Sequence, residues 1–152
     1  MTSQIAVTLR SPQTDKEWQD YFHFRWQYLR APWQQPSGSE KDEYENEAWH
    51  VLACNKQDEI VAVGRLHAIS KQTGQIRYMA VAESVRKQGI GRDILNWLEQ
   101  HALEAGMTEI ILHAREQAVG FYLHQGYEKI KASHTLFGEI KHMQMIKQLP
   151  VN

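Results

Sequence analysis

The stretch that decides the fold is Arg86-Lys87-Gln88-Gly89-Ile90-Gly91. A short, largely apolar run at 75–81 precedes it, and apolar residues at helical spacing follow it. This order of strand, glycine-containing turn and helix brings unpaired backbone N–H groups to one point, where the helix dipole adds partial positive charge. Such a turn binds phosphate without a side chain, although the same pattern is also typical of a simple chain reversal.

Two common phosphate-binding motifs do not match this turn. A Walker loop ends in Gly-Lys-Ser/Thr, whereas Gly91 is followed by Arg92 and Asp93. The dinucleotide fingerprint requires a third small residue where Ile94 stands. The pattern Arg/Gln-x-x-Gly-x-Gly/Ala does fit, and it resembles the pyrophosphate loop of the GCN5-related N-acetyltransferase (GNAT) family.

A second motif supports the resemblance. The family's signature Ala-x-x-Phe-Tyr-x-x-x-Gly-Phe/Tyr is similar to Ala118-Val119-Gly120-Phe121-Tyr122-Leu123-His124-Gln125-Gly126-Tyr127. The two motifs occur in the family's order, with room between them for one helix, a strand at 109–113 and the start of a further helix. The resemblance covers nearly the whole chain.

Hydrophobic periodicity and turn residues predict the strands and helices in the same order. Strands are predicted at 5–9, 48–55, 59–69, 75–81, 109–114, 127–133 and 141–149. Helices are predicted from the capping box at 14–17 up to Pro32, at 89–105 and at 116–125, with a short one in the acidic segment 41–47. The resemblance implies an α/β (α+β) fold, a mixed twisted sheet of about seven strands splayed between strands four and five, with about four helices.

Length and composition are typical of one globular domain, residues 1–152. Lys and Arg (17) nearly balance Asp and Glu (18), so the formal net charge of −1 gives no general attraction to nucleic acid or an anionic membrane. No signal peptide or long apolar run is visible, and we predict a cytoplasmic location. The single cysteine, Cys54, lies in an apolar strand and is expected to be a buried structural thiol. No metal site is predicted.

The resemblance implies that acetyl-CoA lies in the gap between the fourth and fifth strands. The backbone of Met79, Ala80 and Val81 would then bind the pantetheine arm, and Arg86, Lys87, Gln88, Gly89, Ile90, Gly91 and Arg92 would bind the pyrophosphate. Arg115 stands where many relatives have asparagine. It is interpreted either as a surface salt bridge to Glu116 or Asp93, or as a contact to a cofactor phosphate.

Tyr122 is predicted to be the catalytic acid, because a phenol beside the departing CoA sulfur can donate a proton or a hydrogen bond. The attacking amine must instead lose a proton to a base, because an alkylamine of pKa near 10.4 is almost entirely protonated at pH 7. Some family members use a glutamate on the fourth strand as a base, but this strand has no carboxylate or histidine. His67, His113, Glu83, a water relay or an acceptor of low pKa remain open alternatives.

The expected acceptor is a small molecule, an amine, bound by Arg25, Arg30, Trp33 and His142 and acetylated by direct attack in a ternary complex. Two alternatives are an acyl-carrier or thiol acceptor and a non-catalytic CoA-sensing domain. The N-terminal block at 24–40 also resembles the acetyltransferase half of bacterial proteins that fuse a GNAT domain to a thioesterase-like domain. Dimers are common in the family, so a homodimer is a further expectation.

Overall fold

The computed structural model describes residues 6–150, which form a seven-stranded mixed sheet. Its strands are β1 (Thr8–Arg10), β2 (Trp49–Cys54), β3 (Ile60–Ala68), β4 (Thr73–Val81), β5 (Glu109–Arg115), β6 (Glu128–Leu136) and β7 (Ile140–Gln148). The spatial order is β1-β2-β3-β4-β5-β7-β6, and β4 and β5 run parallel while the other neighbours are antiparallel. This confirms the predicted sheet. Ile5, at the start of the first predicted strand, lies outside the described residues.

The helices among residues 6–150 are α1 (Asp15–Leu29), α2 (Ile90–Glu104) and α3 (Val119–His124), joined by several 3-10 turns. The prediction of about four helices was therefore too high. Where a helix was expected in 41–47, only the 3-10 turn Glu45–Glu47 forms. The reason is that the Asp42 carboxylate accepts hydrogen bonds from the backbone of Tyr44 and from the side chain of Arg65, which fixes a turn in place of a helix.

Capping and packing explain the two long helices. Thr14 caps α1 by accepting a hydrogen bond from the Glu17 N–H (3.1 Å), as the capping box predicted. Helix α2 buries an apolar face against the sheet, and Gly64 of β3 permits close approach, because a Cβ there would lie 2.7 Å from Ile94 Cγ2. Gly106, at φ +85°, follows its C-terminus as expected. None of these helices is long and apolar enough to cross a membrane.

The parallel strands β4 and β5 pair over only half of their length. Their register runs from Thr73 opposite Glu109 to Ile76 opposite Leu112 and then stops. Beyond this point the two strands separate, which confirms the predicted splay. The C-terminal half of β4 therefore has no backbone partner on the β5 side within the described sheet, and its edge faces an open wedge.

A β-bulge in β4 lies where the splay begins. On β3, Val63 pairs with Ala80 and Arg65 pairs with Arg77, so β4 uses one more residue than β3 over this interval. Tyr78 lies in the bulge with φ +59°, in the left-handed region that costs a non-glycine residue about 1–3 kcal/mol. The surrounding structure must therefore hold this residue in place.

A cluster of arginines surrounds the ring of Tyr78. The guanidinium groups of Arg25, Arg65 and Arg77 lie 4.2, 4.9 and 4.5 Å from the ring centroid, and that of Arg30 lies 5.6 Å away. Such cation–π contacts are favourable where the groups are shielded from water. They fix the aromatic side chain, and with it the strained backbone that opens the wedge.

Two carboxylates neutralise most of this positive charge. Arg65 donates to Asp42 (2.6 and 2.9 Å) and to Glu45 (2.9 Å), while Arg25 donates to Glu45 (2.9 Å) and to the hydroxyl of Tyr21 (3.0 Å). Both arginine side chains are fully buried. We call these residues, together with Arg77, the ion network. It fastens the segment around 40–47 over β3 and β4.

Candidate active site

The wedge between β4 and β5 contains two cavities that share Tyr122 and Arg115 among their lining residues. The first, about 600 Å³, extends from the turn at 85–92 along the edge of β4 and is called the turn cavity. The second, about 370 Å³, contains three histidines and is called the histidine cavity. Both volumes are in the range of small-molecule sites.

Backbone geometry makes the turn a suitable anion site. Lys87 and Gly89 have positive φ (+67° and +83°), and no side chain caps α2 at Gly89. The N–H of Asp93 donates to the Gly89 carbonyl (3.1 Å), so the N–H groups of the preceding helical residues have no acceptor within the helix. These N–H groups and the helix dipole attract negative charge to the turn.

The predicted cofactor residues gather in and around the turn cavity. It is lined by the predicted residues Met79, Ala80, Val81, Arg86, Lys87, Gly89, Ile90, Gly91, Arg92 and Arg115. Ile90 contributes only its backbone, since its side chain is 2% exposed and packs in the core. Gln88 lies in the same turn but is not among the lining residues.

A diphosphate with an extended arm fits this cavity. Its basic residues at the turn are Arg86, Lys87 and Arg92, Arg115 lies where it joins the histidine cavity, and the described lining includes no carboxylate. The unpaired edge of β4 offers main-chain groups to an extended chain. Coenzyme A has both features, so the residues present are compatible with it.

Tyr122 lies at the junction of the two cavities. Its hydroxyl donates to the weak acceptor Met79 Sδ (3.6 Å). Burial raises the pKa of Tyr122 to about 12, and the nearby charge of Arg115 opposes that shift. The phenol therefore carries its proton at neutral pH and can donate it to a group in either cavity.

Three imidazoles from neighbouring strands line the histidine cavity. The ring centroids of His113 and His134 are 5.3 Å apart, and those of His134 and His142 are 4.3 Å apart. Burial and the proximity of His134 lower the pKa values of His113 and His142, so both rings are neutral at pH 7. His142 Nδ1 donates to the Ile140 carbonyl (2.9 Å), which leaves Nε2 as a proton acceptor. Within residues 6–150 no group of His, Cys, Asp and Glu is placed to hold a metal ion.

Arg30, Arg77 and Arg115 also line the histidine cavity. The Arg115 guanidinium lies over the Trp33 ring, 4.7 Å from its centroid. Neither of the predicted surface salt bridges, to Glu116 or to Asp93, is formed among the described residues. The reason is that Arg115 turns inward, and Asp93 instead lies 3.5 Å from Arg92.

The structure separates the predicted acceptor residues. Arg30 and His142 line the histidine cavity, and Trp33 contacts it through Arg115. Arg25 does not line it, and the prediction was wrong there, because its guanidinium is fully buried in the ion network.

The candidate bases lie in different places. His113 lines the cavity, whereas His67 accepts a hydrogen bond from Arg65 (2.9 Å) in the ion network and Glu83 is exposed outside both cavities. Sequence reasoning missed Arg77 and His134. The sequence around them shows only alternating polar and apolar residues along β4 and β6, and this pattern does not show which face of the sheet borders a cavity.

Known proteins share this sequence pattern and architecture. An uncharacterized N-acetyltransferase of Bacillus subtilis strain 168, YjcF, is 30% identical over 135 residues, covering 89% of this chain and 95% of that protein. An aminoglycoside 6'-N-acetyltransferase complexed with coenzyme A has a TM-score of 0.79 at 16% identity, covering 97% of this chain and 99% of that one. A GNAT family acetyltransferase from Elizabethkingia anophelis with acetyl-CoA bound has a TM-score of 0.70 at 19% identity, covering 97% and 100%. The model of the acetyltransferase (GNAT) family matches residues 18–127. This match over most of the chain shows that the protein belongs to the acetyltransferase (GNAT) family.

Proposed function

We propose that the protein transfers an acetyl group from acetyl-CoA to the amine of a small molecule by direct attack in a ternary complex. The observation that carries the proposal is that two cavities meet at Tyr122, so that both substrates have room at the same time. Acetyl-CoA would supply a thioester-activated acetyl group. The turn cavity would hold its diphosphate and pantetheine arm, and the histidine cavity would hold the amine.

Direct attack is also supported by the position of the single cysteine. Cys54 is 5% exposed, lies in β2 and lines neither cavity. Burial raises its pKa, which disfavours the nucleophilic thiolate. An acetylated Cys54 intermediate is therefore disfavoured, because its thiol does not reach the wedge where acetyl-CoA would bind.

Tyr122 would assist the departure of the CoA sulfur. As the carbon–sulfur bond breaks, negative charge develops on the sulfur, and a phenol at the junction stabilises it by donating a hydrogen bond. Its pKa lies well above that of an ordinary thiol, about 8.5, so a hydrogen bond is favoured over complete proton transfer.

His142 would accept the proton that the amine loses. Because Nδ1 donates to Ile140, Nε2 carries the lone pair of the ring, and its lowered pKa keeps the imidazole neutral at pH 7. His134 stacks on this ring, with the two centroids 4.3 Å apart, and would hold the imidazole in place. This assignment supplies a base that β4 does not carry.

Initial-rate kinetics test the proposed function. Release of free thiol from acetyl-CoA would be followed while acetyl-CoA and one of a panel of amines are varied together. A ternary complex gives intersecting double-reciprocal lines, and a covalent intermediate gives parallel ones. Acetyl-CoA binding without turnover of any amine, amino acid or thiol would support a sensing domain and contradict the proposal.

Gly91→Glu is expected to weaken acetyl-CoA binding at least about ten-fold in calorimetry, because it adds a negative charge beside the proposed diphosphate. The fold should tolerate the side chain, since a Cβ at this position would lie 3.4 Å from Phe121 Cζ, an ordinary contact. Gly91→Gln has the same length without the charge and is the matched control. Equal affinities of the Glu and Gln variants would contradict the phosphate assignment.

His142→Asn is expected to lower kcat/KM for the amine about 100-fold at pH 7. The difference in kcat/KM between this variant and wild type should shrink as pH rises toward the amine pKa near 10.4, because more of the amine is then already deprotonated. His23→Asn, on the exposed face of α1, is the control and should behave as wild type. A deficit that stays constant with pH would indicate a structural role for His142.

A further inference from the structure

The lining of the histidine cavity contains basic side chains but no acidic ones. Arg30, Arg77 and Arg115 line it together with the three histidines, and the described lining contains neither aspartate nor glutamate. A site built to hold a polycation would need carboxylates, since an ammonium group is repelled by guanidinium groups. This charge distribution therefore disfavours binding of polycationic amines.

Two of the three arginines already have hydrogen-bond acceptors. Arg30 donates to the carbonyl groups of Ser39 (3.0 Å) and Leu29 (2.8 Å), and Arg77 donates to Asp42 (2.9 Å). Each of these two guanidinium groups has further N–H donors, because the group carries five in all.

Arg115 differs from the other two. Within residues 6–150 its guanidinium has no hydrogen-bond acceptor and no carboxylate partner, and its contact is the face of Trp33. It is half-buried, and burial together with the Arg30 charge disfavours its charged form. A cation held in such a position lacks an anion, and a bound oxyanion would supply the missing partner.

We propose that the acceptor carries an oxyanion, a carboxylate or a phosphate, in addition to its amine, and that Arg115 binds this group with Arg77 and Arg30 beside it. The inference rests on the proposed function and names the substrate class of the same site. The cavity of about 370 Å³ suits a compact molecule such as an amino acid or a phosphorylated amine. The amine would then lie toward Tyr122 and His142, where it can attack.

The same charges argue against a polycationic acceptor. Aminoglycoside acetyltransferases are among the structural neighbours, at 16% and 18% identity. Shared architecture at that identity carries no substrate preference. Here the arginines would repel an aminoglycoside from the place where its amine must react.

Matched acceptor pairs test the proposal. Each pair differs only in the oxyanion: an amino acid against its amide, and phosphoethanolamine against ethanolamine. We expect kcat/KM at least ten-fold higher for the anionic member, and the two pairs distinguish carboxylate from phosphate. Equal or higher kcat/KM for the neutral members or for polyamines would overturn the inference while leaving acetyl transfer to amines intact.

Arg115→Gln locates the anion site. We expect the KM of the anionic acceptor to rise about 10- to 100-fold, in line with the loss of a charged hydrogen bond, with the KM of acetyl-CoA within two-fold of wild type. Arg10→Gln, an arginine outside both cavities, is the matched control and should change neither constant. A rise confined to the KM of acetyl-CoA would place Arg115 in the donor site and contradict the proposal.

A binding measurement separates this inference from the proposed function. Protein saturated with CoA would be titrated calorimetrically with succinate and with succinamide, neither of which is an amine. Binding of succinate alone, lost in Arg115→Gln, supports the oxyanion site even if no amine is turned over. Absence of succinate binding, together with equal kcat/KM within both acceptor pairs and with acetyl-CoA binding and amine turnover intact, overturns the oxyanion site alone.

Discussion

Tyr122→Phe is expected to lower kcat about 10²- to 10⁴-fold while leaving the affinity for acetyl-CoA unchanged. The substitution removes the one hydroxyl that the structure places at the junction of the two cavities on α3, and it keeps the ring that packs against Phe121 and Tyr127. The lost hydrogen bond forms fully only as charge develops on the CoA sulfur, so kcat should fall and ground-state binding should not. Steady-state kinetics and calorimetry measure the two quantities.

Tyr127→Phe is the matched control for this variant. Its hydroxyl donates to Glu99 (2.9 Å) in the core and lies in neither cavity. Loss of that buried hydrogen bond should reduce stability by about 1–3 kcal/mol without reducing kcat at a temperature where the protein is folded. If Tyr122→Phe also retained wild-type kcat, another group or water would have to assist the leaving sulfur.

Asp42→Asn is expected to reduce the free energy of unfolding by about 2–4 kcal/mol, because the fully buried Arg65 loses its two-pronged carboxylate partner and keeps only Glu45. Loss of one member of a buried ion pair is much more costly than loss of an exposed pair, and the total stability of a domain is only about 5–15 kcal/mol. Urea unfolding measures the difference. Asp20→Asn, in the exposed pair with Lys16, is the control and should leave the free energy of unfolding nearly unchanged.

The Asp42 carboxylate also makes the free energy of unfolding depend on pH. Burial opposes ionisation of Asp42, but hydrogen bonds from Arg65 and from the Tyr44 backbone, with the charges of Arg65 and Arg77, outweigh it and hold the pKa of Asp42 well below its usual range. A lowered pKa in the folded state stabilises the protein above the unfolded-state pKa, about 3.9, and this stabilisation is lost as pH falls further. The difference between wild type and Asp42→Asn should therefore be constant from pH 5 to 8 and narrow below about pH 4. A difference that is the same at pH 3 as at pH 7 would contradict this.

The fold could be predicted because local signals agree with one another. The capping residue Thr14, the apolar face of α2, the turn at Gly89 and the helix-ending Gly106 each act within a few residues of sequence. The missing fourth helix has a different cause. Its segment is held by Asp42 and its neighbours through partners about 20 residues away, and no sequence periodicity records such contacts.

The site could be predicted only in part for a similar reason. Residues of the turn cavity are contiguous in sequence, so their assembly follows from one motif. The histidine cavity combines β4, β5, β6, β7 and the end of α1, and its residues meet only through sheet order and register. Arg25 shows the limit: an arginine on a helix looks the same in sequence whether it faces a ligand or, as here, a buried carboxylate.

The bulge at Tyr78 constrains how this protein can change during evolution. Deleting one residue there would restore even pairing with β3 and exchange the sheet faces that the following side chains occupy. Met79, which now packs near Gly64 on the α2 face, would move to the opposite face. We therefore expect insertions and deletions in this stretch to disrupt the wedge, whereas point substitutions in the histidine cavity can change the acceptor preference and keep it.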